Sequence, residues 1–287
     1  MYKSSYHTHS TFCDGKNTPE EMLLSAVEKS FNALGFSSHI MLPFSSDWHL
    51  PLNRIDSYCT EINRLKNEYK NQLEVYLGFE ADFIEGVTKP DFSVYRPYNP
   101  DFLIGSVHYV TSSSGKGYFE ADGSFEEVHS KIQTLYKGNA KKAVQEYFYC
   151  QRQMLKQSSF TFLGHADLIR KQNSPKNSFG PLFDENASWY KKELKLLAKE
   201  ISSSGTCVEI NTGAMSRLYL STPYPSLYFL ELLHEKNVPV TINSDAHSSQ
   251  AVDFAFDEAK KLCLSAGYKE TARLNKTRLQ FEKIDFD

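Results

Sequence analysis

The sequence has few cysteines and no long apolar run. Its five cysteines are odd in number and scattered, and no two of them form a Cys-x-x-Cys pair. This pattern indicates a reducing compartment rather than a disulfide framework. No basic segment followed by an apolar one opens the chain, and no run of about 18 apolar residues occurs. We therefore expect neither a signal peptide nor a membrane span, and a cytoplasmic location.

The sequence also lacks an excess of charge of one sign. Its 32 Lys and Arg and 35 Asp and Glu give a formal net charge of -3. Binding to a long nucleic acid is mostly neutralisation of phosphates, so this charge argues against such a partner. With 287 residues, of which 40% are hydrophobic, the chain is long enough to bury a sizeable core. No composition break marks a linker, which favours a single domain over residues 1–287.

Short apolar segments alternate with amphipathic segments along the whole chain. The apolar segments predict seven strands, at residues 2–6, 32–38, 73–79, 101–107, 160–164, 206–210 and 238–243. Between and after them the spacing predicts helices at 18–30, 56–70, 125–135, 140–155, 185–202, 225–235 and 251–264. This α/β order predicts parallel strands joined by right-handed crossovers. A barrel and an open doubly wound sheet both fit, and both place ligands at the carboxyl ends of the strands.

Side chains that bind metal ions follow six of the seven predicted strands. A single histidine or carboxylate in such a place is usually structural, but a whole set at one edge of one sheet is much harder to explain that way. The set is His7, His9, His39, Glu80, His108, His165, Asp245 and His247. His7 and His9 project together because alternate residues of an extended chain point to one face. Imidazole with carboxylate suits Zn, Mn or Fe, and the set exceeds the needs of one ion. The sequence therefore predicts a hydrolytic centre with two or three divalent transition-metal ions.

In this order the set resembles the PHP (polymerase and histidinol phosphatase) family of metallophosphoesterases. The resemblance covers nearly the whole chain and implies a distorted TIM-like barrel of seven βα units, with the metal centre at the carboxyl ends of the strands. It implies one ion surrounded by His7, His9, Glu80 and Asp245. It implies that Glu80 bridges to a second ion held by His108 and His165, and that a third is held by His39 and His247.

Two positions depart from the family pattern. The family often has a further histidine after the first motif, where the nearest candidate in this chain is Asp14. A carboxylate is also able to bind a metal ion, so we include Asp14 among the predicted ligands. The second motif often reads Asp-His, whereas this chain has Ser38-His39. That difference affects a neighbour of the ligand rather than the ligand itself.

The residues around the predicted ligands are most similar to the monofunctional histidinol-phosphate phosphatases of that family. The similar segments are 12–15, 106–110, 165–170 and 209–212. This resemblance implies hydrolysis of L-histidinol phosphate to L-histidinol and phosphate, a step of histidine biosynthesis. Two alternatives stay open: the same chemistry on another small phosphoester or a nucleotide, and a metal-binding scaffold without turnover. The oligomeric state is not predicted.

Hydrolysis of a phosphomonoester requires a hydroxide nucleophile and positive charge on the phosphoryl oxygens. Two metal ions about 3.5–4 Å apart supply both, by lowering the pKa of a bridging water and binding the oxygens. Arginine suits phosphate because its planar guanidinium binds two oxygens at once. Arg170 and Arg217 follow strand ends on this side, and we predict that they clamp the phosphate. The predicted catalytic residues are Glu80, Asp245 and His247, of which the last two would orient the nucleophile or protonate the leaving alkoxide.

Two further residues near these motifs are not expected to take part in the chemistry. Cys13 lies within the first motif, but no base is obviously paired with it, so we expect no nucleophilic role. His49 lies beside Trp48 after the second predicted strand, and we expect it to be an ordinary loop residue.

Overall fold

The computed structural model describes residues 2–115, 117–275 and 281–285. In chain order the strands are β1 (Ser4–Ser5), β2 (Ala33–Ile40), β3 (Glu74–Asp82), β4 (Phe102–Ser106), β5 (Tyr109–Thr111), β6 (Tyr118–Glu120), β7 (Phe162–Leu163), β8 (Cys207–Asn211), β9 (Val240–Asn243), β10 (Glu270–Leu274) and β11 (Phe281–Asp285). The α-helices are α1 (Pro19–Glu28), α2 (Ile55–Glu68), α3 (Phe92–Tyr95), α4 (Phe125–Tyr136), α5 (Ala140–Gln157), α6 (Ser188–Ser204), α7 (Gly213–Ser216), α8 (Leu227–His234) and α9 (Phe256–Ser265).

Seven parallel strands form a nearly closed barrel. Their spatial order is β1, β2, β3, β4, β7, β8 and β9, which is also their order along the chain. The backbone N–H of His9 donates to the carbonyl of Ala246 at 2.9 Å, and Thr8 forms a parallel bridge with Ala246. The segment after β1 therefore pairs with the segment after β9 and joins the first strand to the last. The distorted barrel implied by the sequence is confirmed.

The strands are apolar because both of their faces are covered. All eight residues of β2 are buried, and helices cover the outside of the sheet. The end of the barrel opposite the mouth is filled by aromatic rings, with Tyr6 stacked on Phe162 at 5.2 Å. Phe102 lies so close to Gly78 that a Cβ there would be 2.3 Å from its ring. This packing closes one end of the barrel and leaves the other end for the site.

The predicted elements are present, with shifted ends and a few additions. Helix α1 begins with the Thr18–Glu21 capping box that the sequence indicates. Strands β2 and β3 extend beyond their predicted ends, so that His39 and Glu80 lie opposite each other within the sheet. Helix α9 begins at Phe256 rather than at 251, and the β5–β6 and β10–β11 hairpins were not predicted. No helix of the described residues is long and apolar enough to cross a membrane.

Candidate metal centre

The predicted ligands meet at the carboxyl ends of the strands, around Glu80. The carboxylate of Glu80 is fully buried, and its Oε2 lies 2.8 Å from His7 Nε2 and 2.9 Å from His39 Nδ1. Its Oε1 lies 2.9 Å from His165 Nε2 and 3.4 Å from His108 Nε2. Each oxygen therefore faces a different pair of imidazoles, which is the arrangement expected of a carboxylate that bridges two metal ions.

Asp245 and Asp14 extend this cluster toward the surface. Asp245 Oδ1 lies 3.2 Å from His9 Nε2 and 3.6 Å from His7 Nε2. Asp14 Oδ2 lies 3.0 Å from His247 Nε2, and its Oδ1 lies 3.8 Å from His39 Nε2. The structure thus brings all nine predicted ligand side chains together.

The donor set fits divalent metal ions. Four groups each offer ligand atoms within 4.8 Å of one another: His9, Asp14, His39 and His247; His7, His165 and Asp245; His7, His9 and Glu80; and His39, Glu80 and His108. His9 Nε2 and His39 Nδ1 are buried and have no aligned hydrogen-bond partner, although each lies close to a carboxylate oxygen. Buried imidazole nitrogens that face carboxylates in this way are typical metal donors.

Buried carboxylates lie behind two of the imidazoles, and sequence reasoning missed them. His7 Nδ1 lies 2.8 Å from Glu209 Oε2, and His108 Nδ1 lies 2.8 Å from Asp82 Oδ1. The other oxygen of Asp82 lies 2.8 Å from Nε2 of His49, which is buried rather than an ordinary loop residue. Such carboxylates fix the tautomer and orientation of a ligating histidine. Because Asp82 follows Glu80 by two residues on one strand, the alternation of side chains was a signal for its position.

The charges in the centre depend on burial and on close neighbours. Burial alone would raise the pKa of the Glu80 carboxyl, but His7, His39 and His108 hold it well below its usual value. Burial lowers the pKa of His9 to about 3, helped by the imidazoles of His247 and His39. Burial also disfavours the charged form of His108, but Asp82 and Glu80 outweigh it and raise the pKa to about 10. Before a metal ion binds, the centre would therefore combine charged carboxylates with both neutral and protonated imidazoles.

A cavity of about 280 Å³ opens at the barrel mouth beside these ligands. Besides predicted metal ligands, its lining includes two cationic side chains, Lys171 and Arg217, and two acidic ones, Glu120 and Asp122. The acidic pair lies at the end of the β5–β6 hairpin, which the sequence did not predict. The cavity is therefore lined by predicted metal ligands together with charged groups of both signs.

The model of the PHP domain family matches residues 5–213 of the chain. The chain belongs to the PHP family. It is 27% identical over 258 residues to a protein of Deinococcus radiodurans named a probable histidinol-phosphatase, with 89% of this chain and 90% of that relative covered. It is 26% identical over 281 residues to the histidinol-phosphatase of Bacillus subtilis, and the alignment covers 92% of this chain and 100% of that relative.

A solved structure has the same PHP fold. It is the histidinol phosphate phosphatase of Lactococcus lactis in complex with Zn, L-histidinol and phosphate. The TM-score is 0.69 at 21% sequence identity, and the alignment covers 98% of this chain and 99% of that one.

In this PHP chain the two predicted phosphate-clamp arginines lie in different surroundings. Arg217 lines the cavity, and its guanidinium donates to Asp245 Oδ2 at 3.0 Å and to the Asp245 carbonyl at 3.2 Å. Its side chain is 37% exposed, so part of the guanidinium is free to meet a ligand. A Cβ at Gly213 would lie 2.8 Å from Arg217 Nη2, so the glycine makes room for this position.

The structure does not bring Arg170 to the cavity, which corrects the prediction for this residue. Its Nε donates to Glu185 Oε2 at 2.9 Å, Nη1 to the Pro223 carbonyl at 3.2 Å and Nη2 to Thr222 Oγ1 at 3.1 Å. All three nitrogens therefore bind the protein itself. The turn after β7 points the next residue, Lys171, into the cavity instead. Sequence position after a strand did not reveal which of two adjacent cations would face the site.

Burial shifts the pKa values of two further side chains near the site, those of Lys171 and Cys13. The Lys171 ammonium donates to the Asp122 carbonyl and lies 4.7 Å from the ring centre of Tyr219. Burial, with help from Arg217, lowers the pKa of Lys171. Burial and the neighbouring Asp14 raise the pKa of the Cys13 thiol to about 11. Cys13 is therefore a protonated thiol near neutral pH, which agrees with the absence of a nucleophilic role.

Proposed function

We propose that this chain is a phosphatase that hydrolyses L-histidinol phosphate to L-histidinol and phosphate with the help of divalent metal ions. The observation that carries the proposal is the buried Glu80 carboxylate, which lies between two pairs of imidazoles. Three of those imidazoles, of His39, His108 and His165, line the charged cavity. The two relatives named histidinol-phosphatase, and the Lactococcus lactis structure with L-histidinol and phosphate, support the same substrate.

We propose a centre of two or three ions, of Zn, Mn or Fe. One would be held by His7, His9, Glu80 and Asp245, a second by Glu80, His108 and His165, and a third by Asp14, His39 and His247. His7, His9 and Glu80 offer mutually close ligand atoms, as do Asp14, His39 and His247, and Asp245 Oδ1 lies 3.2 Å from His9 Nε2. The second set rests on the distances of His165 and His108 Nε2 from Glu80 Oε1, 2.9 Å and 3.4 Å. Bound divalent ions would supply a water of lowered pKa as nucleophile and positive charge for the phosphoryl oxygens.

The cavity suits a substrate with charges of both signs. L-Histidinol phosphate carries a phosphate at one end and an ammonium group and an imidazole at the other. Arg217 would bind the phosphate next to the centre, with Lys171 as a second cation. Glu120 and Asp122 would bind the ammonium group from the hairpin side. A nucleotide monoester has no ammonium group and would leave this acidic pair without a partner.

Asp245 and His247 border the reacting phosphate in this arrangement. Burial would raise the pKa of Asp245, but Arg217 and His7 hold it well below its usual value. Asp245 is therefore a carboxylate near neutral pH and is suited to orient the attacking water by accepting a hydrogen bond from it. The sequence left the proton donor to the leaving alkoxide open between Asp245 and His247. With Asp245 ionised, we propose His247 as that donor in the two-ion form of the centre, in which His247 holds no metal ion.

The test is an assay of the purified chain with measurement of bound Zn, Mn and Fe. We expect rapid phosphate release from L-histidinol phosphate and slow release from a panel of nucleotides. Glu80→Gln should abolish turnover and lower the metal content, and a surface variant such as Glu126→Gln should change neither. Turnover of nucleotides with none of L-histidinol phosphate would favour the alternative, a phosphatase that acts on another phosphoester. A metal-replete chain without any turnover would favour a scaffold.

The proposal also covers the domain organisation of the chain and the class of its substrate. We propose a single domain over residues 1–287 and a small-molecule substrate rather than a nucleic acid. The cytoplasmic location stays a prediction from the cysteine pattern.

A further inference from the structure

His9 is held in one orientation at the inner edge of the centre. Its ring stacks on those of both His39 and His247, with ring centres 4.2 Å apart in each pair. Its Nε2 points to Asp245 Oδ1 at 3.2 Å and to Glu80 Oε2 at 3.5 Å. That nitrogen is buried and without a hydrogen-bond partner among the described residues. Nε2 is therefore the nitrogen that would face a metal ion.

The opposite nitrogen must then carry the proton. A neutral imidazole has one N–H and one lone pair, so a lone pair on Nε2 places the hydrogen on Nδ1. His7 and His108 present their Nδ1 to the carboxylates of Glu209 and Asp82. Nδ1 of His9 instead lies 3.5 Å from the sulfur of Cys13. The nearest carboxylate oxygen, Asp14 Oδ1, is 3.9 Å away and outside hydrogen-bond distance.

The loop that carries Cys13 is tightly fixed. The backbone N–H groups of Cys13 and Gly15 both donate to the carbonyl of Ser10 at 3.0 Å. A Cβ at Gly15 would lie 2.5 Å from the Ser10 nitrogen, so the loop closes on itself only with glycine there. The N–H of Lys16 donates to the carbonyl of His247 at 2.8 Å. The sulfur is thus held in place relative to both stacked imidazoles.

We propose that Cys13 is a positioning residue that accepts the Nδ1–H of His9 and holds Nε2 toward the metal ion. The inference rests on the proposed metal centre. Glu209 and Asp82 do the same for their histidines with charged oxygens, whereas a sulfur is a weaker acceptor. Cys13 would fix the direction of His9 while leaving it a less basic ligand than His7.

The test compares zinc affinity in Cys13→Ala, Cys13→Ser and Cys59→Ala. Cys59 is a partly buried cysteine on α2 and serves as the control. The zinc dissociation constant is measured by competition with a chromophoric chelator, and the melting temperature is measured on the metal-free proteins. We expect Cys13→Ala to weaken zinc binding roughly tenfold. Cys13→Ser keeps an acceptor and should recover part of the loss, and Cys59→Ala should bind zinc like the wild type.

The melting temperature separates positioning from a general structural role, which would lower it in the metal-free protein. If Cys13→Ala is less stable than the wild type without metal, the zinc dissociation constant of Cys13→Ser decides the test. Wild-type affinity in Cys13→Ala, or a serine variant as weak as the alanine variant, overturns the inference. A thiolate charge-transfer band in the cobalt-substituted wild type would make Cys13 a ligand and would overturn it as well. A wild-type chain that binds no zinc removes the metal centre itself, a failure distinct from equal affinities.

Discussion

Glu80 shows how much of the site depends on one side chain. Its two oxygens lie within 3.4 Å of four imidazole nitrogens, and the group has no exposure to water. An isolated carboxylate in such a place would be costly to bury, and the imidazoles compensate for that cost. Metal ions would replace the protons that those imidazoles share with Glu80.

Arg217 and Arg170 form a matched pair for mutation. Arg217→Ala should lower kcat/KM by roughly 10²- to 10³-fold, because the phosphate would lose a charged donor beside the centre. Bound metal should stay at the wild-type level. Steady-state kinetics and metal analysis of the same sample measure both quantities. A loss of metal on this substitution would contradict the clamp role.

Arg170→Ala should act on stability instead. It would remove the bonds to Glu185, Thr222 and Pro223 and leave Asp167 buried without its cation. We expect a loss of about 3–5 kcal/mol in the free energy of unfolding, measured by urea denaturation. KM should be nearly unchanged in the folded fraction, and a large rise in KM would return Arg170 to the phosphate site.

Asp82 acts through His108. Asp82→Asn should weaken metal binding roughly 10- to 100-fold, because His108 would lose the carboxylate that orients its ring. His49→Gln leaves the contact of Asp82 with His108 in place and should weaken binding less. Zinc titration against a chelator compares the two variants. An equal loss in both would mean that the whole chain from His49 to His108 acts as a unit.

At the scale of elements, the period of the strand places the ligands. His7 and His9, like Glu80 and Asp82, are two residues apart and therefore share a face. This made the ligand set readable from the sequence once the strands were in order. The predicted ends of β2 and β3 fall short of the observed ones, because His39 and Glu80 are polar and yet lie inside strands. Their polarity agrees with the predicted role as metal ligands rather than with a turn.

The sequence was least informative where long-range packing decides the structure. The β5–β6 hairpin has only three residues in each strand and a Ser- and Gly-rich connection, so its apolar pattern is too short to detect. Which of Arg170 and Lys171 faces the cavity depends on the path of a turn after β7. Glu209 lies between the apolar residues Val208 and Ile210 of β8, and two of its partners, His7 and Asn243, come from distant parts of the chain. Those contacts arise only when the barrel closes.

The hairpin suggests a test of substrate choice. Glu120→Gln and Asp122→Asn should each raise KM for L-histidinol phosphate roughly fivefold, since both side chains are partly exposed and each would lose an ion pair with the ammonium group. p-Nitrophenyl phosphate has no such group, and its KM should not change. The two substrates are compared in the same enzyme preparations. Equal effects on both would place the acidic pair elsewhere than at the ammonium group.

At the scale of the molecule, the metal centre joins the parts of the barrel. The nine predicted ligands come from the loop after β1, from β2 and β3, and from the segments after β4, β7 and β9. An ion bound by such distant segments stabilises the folded chain over the unfolded one, which lacks the preformed site. Chelation should therefore lower the stability of the whole barrel and not only remove activity.

Metal binding should also release protons. Burial disfavours the charged forms of His7 and His108, but the surrounding carboxylates raise both pKa values, that of His108 to about 10. Both rings are therefore protonated near pH 7 without metal, whereas a metal ion binds the neutral ring. Zinc affinity should rise as pH rises through neutrality, by roughly tenfold per pH unit for each proton released. His9, with a pKa of about 3, is already neutral and should add nothing.

Calorimetric titration with zinc at pH 7, in two buffers of different ionisation enthalpy, counts those protons. Asp82→Asn provides the matched control, because removal of the carboxylate lowers the pKa of His108. The variant should release fewer protons than the wild type at the same pH while His7 still contributes its own. A binding heat that does not depend on the buffer would show that these imidazoles are neutral before the metal arrives. In that case the carboxylates of the centre would be compensated by Arg217 and by shared hydrogen bonds rather than by imidazolium charge.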